Sequence, residues 1–117
     1  MTAGMRLEDV AREIPGAVQV VGDGTVRVTG IHHDSRAISP GDVFAVRKGE
    51  KTDGSTFVQE ATRRGAVAVL AQRGVSEPGA LGHLPLLLVD DVASGLAYAA
   101  EAIYGHPARA LHETRRG

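Results

Sequence analysis

Between Gly30 and Gly54 the chain reads GIHHDSRAISPGDVFAVRKGEKTDG, and most of the side chains that could do chemistry are gathered there. Two polar loops stand out, HHDSR at 32–36 and KGEKTDG ending at Gly54. Together they offer hydroxyls (Ser35, Thr52), cations (Arg36, Lys48, Lys51) and carboxylates (Asp34, Asp53). Each follows an apolar run that reads as a strand, one ending at Ile31 and the other near Arg47. In open α/β sheets, ligands collect beyond the carboxyl ends of the strands. Neighbouring strands would set the two loops side by side, with the second leading into a helix N-terminus. That mix suits a polar ligand bearing negative charge, such as a nucleotide diphosphate.

Other chemistries fit these residues less well. His32 and His33 are adjacent, so in extended chain they point opposite ways, and no metal site is expected. His83, His106 and His112 fall in loops without ligand spacing and read as surface residues. Ser35 beside His33 and Asp34 has the letters of a hydrolase triad, but sequence neighbours rarely reach that geometry and no GxSxG elbow is present. Gly22-Asp23-Gly24 leads into a strand rather than a helix, which weighs against a phosphate cradle. Acid–base work by His33, Asp34, Glu50 and Lys51 stays open, because a histidine or lysine near carboxylates can be tuned toward neutral pKa. Structural readings stand beside these. Asp34 and Arg36 would form a pair tying loop to loop, Asp53-Gly54 would be a turn opening a helix, and Ser39-Pro40-Gly41-Asp42 would be an ordinary β-turn.

The elements that must position these loops follow from periodicity. Residues 6–14 carry Leu7, Val10, Ala11 and Ile14 on one helical stripe, ended by Pro15 and Gly16. AVQVV and TVRVTGI, joined across GDG, predict a β-hairpin. Val43–Val46 predicts a short strand. STFVQEATRRG predicts a helix opened by a capping box of Thr56 with Gln59, with Phe57, Val58 and Ala61 facing inward and Gly65 as its stop. AVAVLA and LPLLLV predict continuous apolar strands, as in a sheet covered on both faces. The last helix, over DDVASGLAYAAEAIYG, opens at Asp90 or Asp91 and turns Val92, Leu96, Ala99 and Ile103 to one side. The expectation is an α/β fold, a small three-layer, mainly parallel sheet with flanking helices.

Bulk composition narrows the function. The chain has 117 residues, 43% of them hydrophobic, enough for a core without staples. Its formal net charge of −1 argues against a general nucleic-acid or membrane-surface binder. Only 3% is aromatic, which leaves few platforms for stacked bases. There is no cysteine, so disulfide and thiolate chemistry are excluded. The start lacks the apolar stretch of a signal peptide, and LPLLLV is stopped by Asp90 and Asp91. A cytoplasmic location is expected.

In five blocks the sequence resembles the N-terminal domain of the Mur ligases. The blocks are Asp34-Ser35-Arg36, Pro40-Gly41-Asp42-Val43-Phe44-Ala45, Gly49 with Asp53-Gly54, Phe57-Val58 with Ala61, and Gly65-Ala66-Val67-Ala68-Val69. The ending AEAIYGHPARAL is closest to the MurE type, which adds diaminopimelate or lysine to UDP-N-acetylmuramoyl-L-alanyl-D-glutamate; the MurF type shares less of it. The resemblance implies a Rossmann-like domain that holds the uridine diphosphate of the substrate. It implies UDP contacts from His33, Ser35, Glu50, Lys51 and Thr52, and motif roles for Asp34, Arg36, Gly41, Asp42, Asp53 and Gly54. His33 stands where the family often has an apolar or small residue, and Glu50-Lys51-Thr52 replaces an HQA-like triplet.

Further expectations follow. Residues 1–106 would form the nucleotide-sugar-binding unit and 107–117 a loose tail. The Gly-Lys-Thr loop, which in the family binds ATP phosphates, is absent from this sequence. ATP and magnesium would therefore belong to another part of a full ligase, and no ligase activity is expected of this chain alone. The partner expected is a UDP-sugar, with a homodimer or neighbouring ligase domains as further possibilities, and neither nucleic acid nor membrane. Two other functions compete: a stand-alone homologue recruited as a small enzyme or accessory protein in natural-product biosynthesis, or an interaction domain that dimerises through an exposed sheet edge.

Overall fold

The computed structural model describes residues 4–16, 18–46, 54–73 and 84–104, with side chains from residue 58 onward in the helix that begins at Gly54. The elements run β1 (Met5–Arg6), α1 (Leu7–Glu13), β2 (Gln19–Val21), β3 (Arg27–Val28), β4 (Gly30–His32), a 3-10 turn at Ser35–Ala37, β5 (Asp42–Ala45), α2 (Gly54–Arg63), β6 (Ala68–Gln72), β7 (Leu86–Val89) and α3 (Val92–Ile103). The main sheet has the order β2-β7-β6-β5-β4. Strands β4 to β7 are mutually parallel, and β2 joins β7 antiparallel at one edge. This is the mainly parallel α/β sheet that the apolar strands predict.

Both faces of the sheet are covered, which is why its central strands show no alternation and are apolar except at Asp42 and Gln72, at their ends. One face carries Val43, Ala45, Leu70, Leu87 and Val89, packed with Leu7 and Val10 of α1 and with Val92, Ala99 and Ile103 of α3. The opposite face carries Phe44, Val69, Leu86 and Leu88, packed with Val58 and Ala61 of α2 and with Ile38. Removing a side chain as deeply buried as Phe44 should cost about 3–5 kcal/mol. The result is three layers, and the carboxyl ends of four parallel strands open on one rim.

The predicted hairpin does not form. Strand β2 pairs with β7, whereas β3 pairs with β1 in a separate two-stranded sheet. The reason lies between them. Asp23 Oδ1 accepts hydrogen bonds from the amide and hydroxyl of Thr25, at 2.9 and 2.6 Å, which curls the chain locally. The Gly24 and Val26 carbonyls then accept from the Glu8 and Leu7 amides at the start of α1. These bonds draw the segment away from β2 and onto the helix N-terminus, whose orphan N–H groups need acceptors. The run TVRVTGI also divides at Thr29, whose amide donates to the Gly41 carbonyl at 2.9 Å, so β3 and β4 serve different sheets.

The helices hold closer to expectation. Asp91 caps α3, its Oδ2 accepting from the Ser94 amide at 3.3 Å. Helix α2 starts at Gly54, so Thr56 lies inside its first turn and is not the residue that caps it. Its end follows the Schellman pattern: Ala66 N–H donates to Ala61 O, Gly65 N–H donates to Thr62 O, and Gly65 takes a positive φ of 108°. No helix among the described residues is long and apolar enough to cross a membrane.

Candidate functional site

Strands β4 and β5 are parallel neighbours, with Ile31 opposite Val43 and His32 opposite Phe44. Both therefore finish on the same rim. The chain leaves β4 through His33–Arg36 and leaves β5 through residues 47–53, so two loop origins share one edge of the molecule. Helix α2 begins at Gly54, directly after the second loop.

The turn after β4 is built by side chains. Asp34 is its N-cap, with Oδ1 accepting from the Arg36 amide at 2.9 Å. The Arg36 guanidinium folds back onto the same carboxylate, at 3.2 Å to Oδ1 and 3.3 Å to Oδ2. Arg36's side-chain hydrogen bond, and then its backbone one, hold the Asp34 carboxyl below the usual carboxylate range. The same contact with Asp34 raises the Arg36 guanidinium. Among the described residues this pair braces its own turn, its partners lying two residues apart.

Ser35 turns the other way. It is buried, and its hydroxyl donates to Glu60 Oε1 of α2 at 3.0 Å. Glu60 Oε2 in turn accepts from Arg64 at 3.3 Å. The turn is thereby pinned to α2, leaving His33 and Arg36 exposed at the rim. His32 lies half-buried within β4, its Nε2 3.6 Å from Asp42 Oδ2.

Gly41 and Asp42 lie at the opposite end of β5 and do architectural work. In the turn Ser39-Pro40-Gly41-Asp42, the Asp42 amide donates to Ser39 O at 3.1 Å, and buried Asp42 Oδ2 accepts from the Ser39 amide at 2.8 Å. Gly41 has φ of 93°, and a Cβ there would lie 2.5 Å from Thr29 Oγ1. Its amide donates to Gly65 O at 2.9 Å.

Of the other sequence candidates, Glu50, Lys51, Thr52 and Asp53 lie outside the described residues, as do Lys48, His83, His106, His112 and the Phe57 side chain. Two partners escaped the sequence reading. Glu60 sits on the exposed flank of an amphipathic helix, where a glutamate ordinarily faces water. Tyr104 reaches Ile31 across 73 residues. A third feature is a cleft of about 270 Å³ at the end of β7, between Pro15, Asp91, Ser94 and Tyr98. Its carboxylates are already engaged, Asp91 with the Ser94 amide and Asp90 with Arg73 at 3.3 Å.

With this geometry in view, the chain was compared with known proteins. Residues 27–110 match the family described as "Mur ligase family, catalytic domain". The chain belongs to the Mur ligase family. It is 45% identical over 89 residues to the UDP-N-acetylmuramoyl-L-alanyl-D-glutamate–2,6-diaminopimelate ligase of Streptomyces coelicolor, covering 76% of this chain and 18% of that protein. It is 39% identical over 103 residues to the chloroplastic MurE homolog of Arabidopsis thaliana, covering 88% of this chain and 13% of that one. The corresponding ligase of Mesorhizobium japonicum is 38% identical over 107 residues, covering 92% and 21%. This Mur ligase chain thus spans about a fifth or less of the length of these relatives. In fold it is similar to the UDP-N-acetylmuramoylalanyl-D-glutamyl-2,6-diaminopimelate–D-alanyl-D-alanyl ligase of Acinetobacter baumannii, with a TM-score of 0.56 at 20% identity, over 81% of this chain and 20% of that one.

Proposed function

We propose that this chain is the UDP-N-acetylmuramoyl-peptide recognition unit of a MurE-like ligase, and that the uridine diphosphate lies on the carboxyl rim of β4 and β5. The observation that carries the reading is the adjacency of these two parallel strands, from which the chain departs at one edge of the sheet. The names of the MurE-type relatives supply the substrate class.

The chemistry of the rim fits a nucleotide diphosphate. The sequence has two lysines, Lys48 and Lys51, and both fall in the loop between β5 and α2. The diphosphate charge would be met there and by the N-terminal amides of α2. The Ser35 hydroxyl donates to Glu60, so a ligand that reached this nearly buried group would meet lone pairs only. That suits an N–H donor such as the uracil imide better than a phosphate oxygen. His33 stands beside it at the exposed side of the turn.

No acid–base step is assigned to His33, Asp34, Glu50 or Lys51. Asp34 is committed to Arg36, which makes it a poor base at neutral pH. The ATP phosphates and magnesium of a full ligase find no Gly-Lys-Thr loop in this sequence, so the unit binds and presents but does not activate. Isothermal calorimetry with UDP and with UDP-N-acetylmuramic acid tests the reading: both should release heat at millimolar concentration or below, and UMP less. Silence from both ligands would refute it.

A further inference from the structure

Strand β4 is the last strand on its side of the sheet, and it leads straight into the turn at 33–36. Its inner side is paired with β5. An edge strand leaves alternate main-chain groups without a ladder partner, and a three-residue edge strand frays readily. Here both outward groups of Ile31 are met by one side chain. The Ile31 N–H donates to Tyr104 Oη at 3.0 Å, and the Tyr104 hydroxyl lies 3.4 Å from the Ile31 carbonyl oxygen as donor. For one residue the phenol does what a neighbouring strand would do.

Two further observations fit this role. Tyr104 is 47% exposed, so burial of its ring is a weak reason for an aromatic at this position, whereas its hydroxyl finds two main-chain partners. Beside it, Gly30 keeps the approach open: a Cβ there would lie 3.0 Å from the Tyr104 hydroxyl and 2.5 Å from Asp42 Oδ1.

We propose that Tyr104 is a positioning residue for the rim turn: it latches the C-terminal end of α3 to the outer edge of β4 and so fixes where His33–Arg36 stand. The effect on ligand binding rests on the nucleotide reading above; the latch itself does not.

Tyr104→Phe in the full 117-residue chain keeps the ring and deletes both hydrogen bonds. Amide hydrogen exchange, followed by NMR, should show Ile31 exchanging about fivefold faster, the loss expected for one neutral hydrogen bond. Val69, Leu70 and Leu87 should speed up by no more than that same factor. Order parameters at 33–36 should fall, and the Kd for UDP should rise severalfold while Tm drops by only about 4 °C. Unchanged protection at Ile31 would overturn the latch. A freed Ile31 with undisturbed amides at 33–36 would overturn the positioning role. If the wild-type chain binds no UDP, the nucleotide reading fails, while the exchange rates and order parameters still judge the latch.

Discussion

The two turns at opposite ends of the β4–β5 pair are held by different means. The turn at 39–42, on the amino end of β5, is fixed mostly by main chain, with one side-chain bond from the Ser39 amide to Asp42 Oδ2. Gly41 N–H donates to Gly65 O, Gly41 O accepts from Thr29, and Val67 N–H donates to Asp42 O. Its two positive-φ glycines, Gly41 and Gly65, leave no room for a side chain. The turn at 34–36, on the carboxyl end of β4, is fixed by side chains: Asp34 to Arg36, and Ser35 to Glu60. Side-chain clamps leave a surface whose residues can be exchanged to suit a ligand. The contrast separates the architectural part of the family motifs from the part proposed to meet the ligand.

The largest effect tests the architectural turn. Gly65→Ala places a Cβ 2.5 Å from Pro40 Cα at a φ that L residues avoid. It should cost about 3 kcal/mol or more in urea unfolding. UDP affinity of the folded fraction should stay unchanged. A loss below ~1 kcal/mol would show that the clamp yields, and the contrast between the turns would blur.

A smaller effect is expected at the turn at 34–36. Ser35→Ala removes the hydroxyl that links the turn to α2 and should cost about 1 kcal/mol of stability. It should weaken UDP more than it weakens the fold, because the proposed imide acceptor is lost as well. An affinity that merely follows stability would reduce Ser35 to a brace.

The smallest effect is one of pH. The Asp34 carboxyl titrates below its unfolded value in the folded chain, so it contributes stability at pH above the ordinary aspartate range and loses it as pH falls through the lowered folded value. Asp34→Asn should remove that part of the acid dependence, and added salt should shrink it, since the pair with Arg36 is exposed. Side-chain carboxyl NMR would give the titration directly. A value for Asp34 at or above the ordinary one would contradict the hydrogen bonding described.

Much of this was legible in the sequence, for physical reasons that differ by element. Strands β5, β6 and β7 are apolar but for Asp42 and Gln72 at their ends, because both faces are covered, and such runs are hard to mistake. The end of α2 announced itself through Gly65 and the start of α3 through Asp90-Asp91, of which Asp91 is the cap. What misled was partner choice. AVQVV and TVRVTGI have strand composition, but composition does not say which strand each will pair with. The deciding bonds came from Asp23 to Thr25 and from the start of α1, which local pattern cannot weigh. At the site, the sequence showed that a polar segment follows each of β4 and β5, and the structure supplied the condition that these two strands are neighbours. The Ser35–Glu60 and Ile31–Tyr104 contacts were not legible, because each joins residues far apart in sequence with no spacing rule between them.

The central claim is that the rim of β4 and β5 grips a uridine diphosphate. A titration of the isotopically labelled chain with UDP, followed by amide NMR, tests it most directly. The account predicts saturable shifts concentrated at residues 33–36 and 47–58, with the turn at 39–42 and the cleft near Ser94 silent. Shifts centred on either of those two places, or none at millimolar UDP, would contradict it.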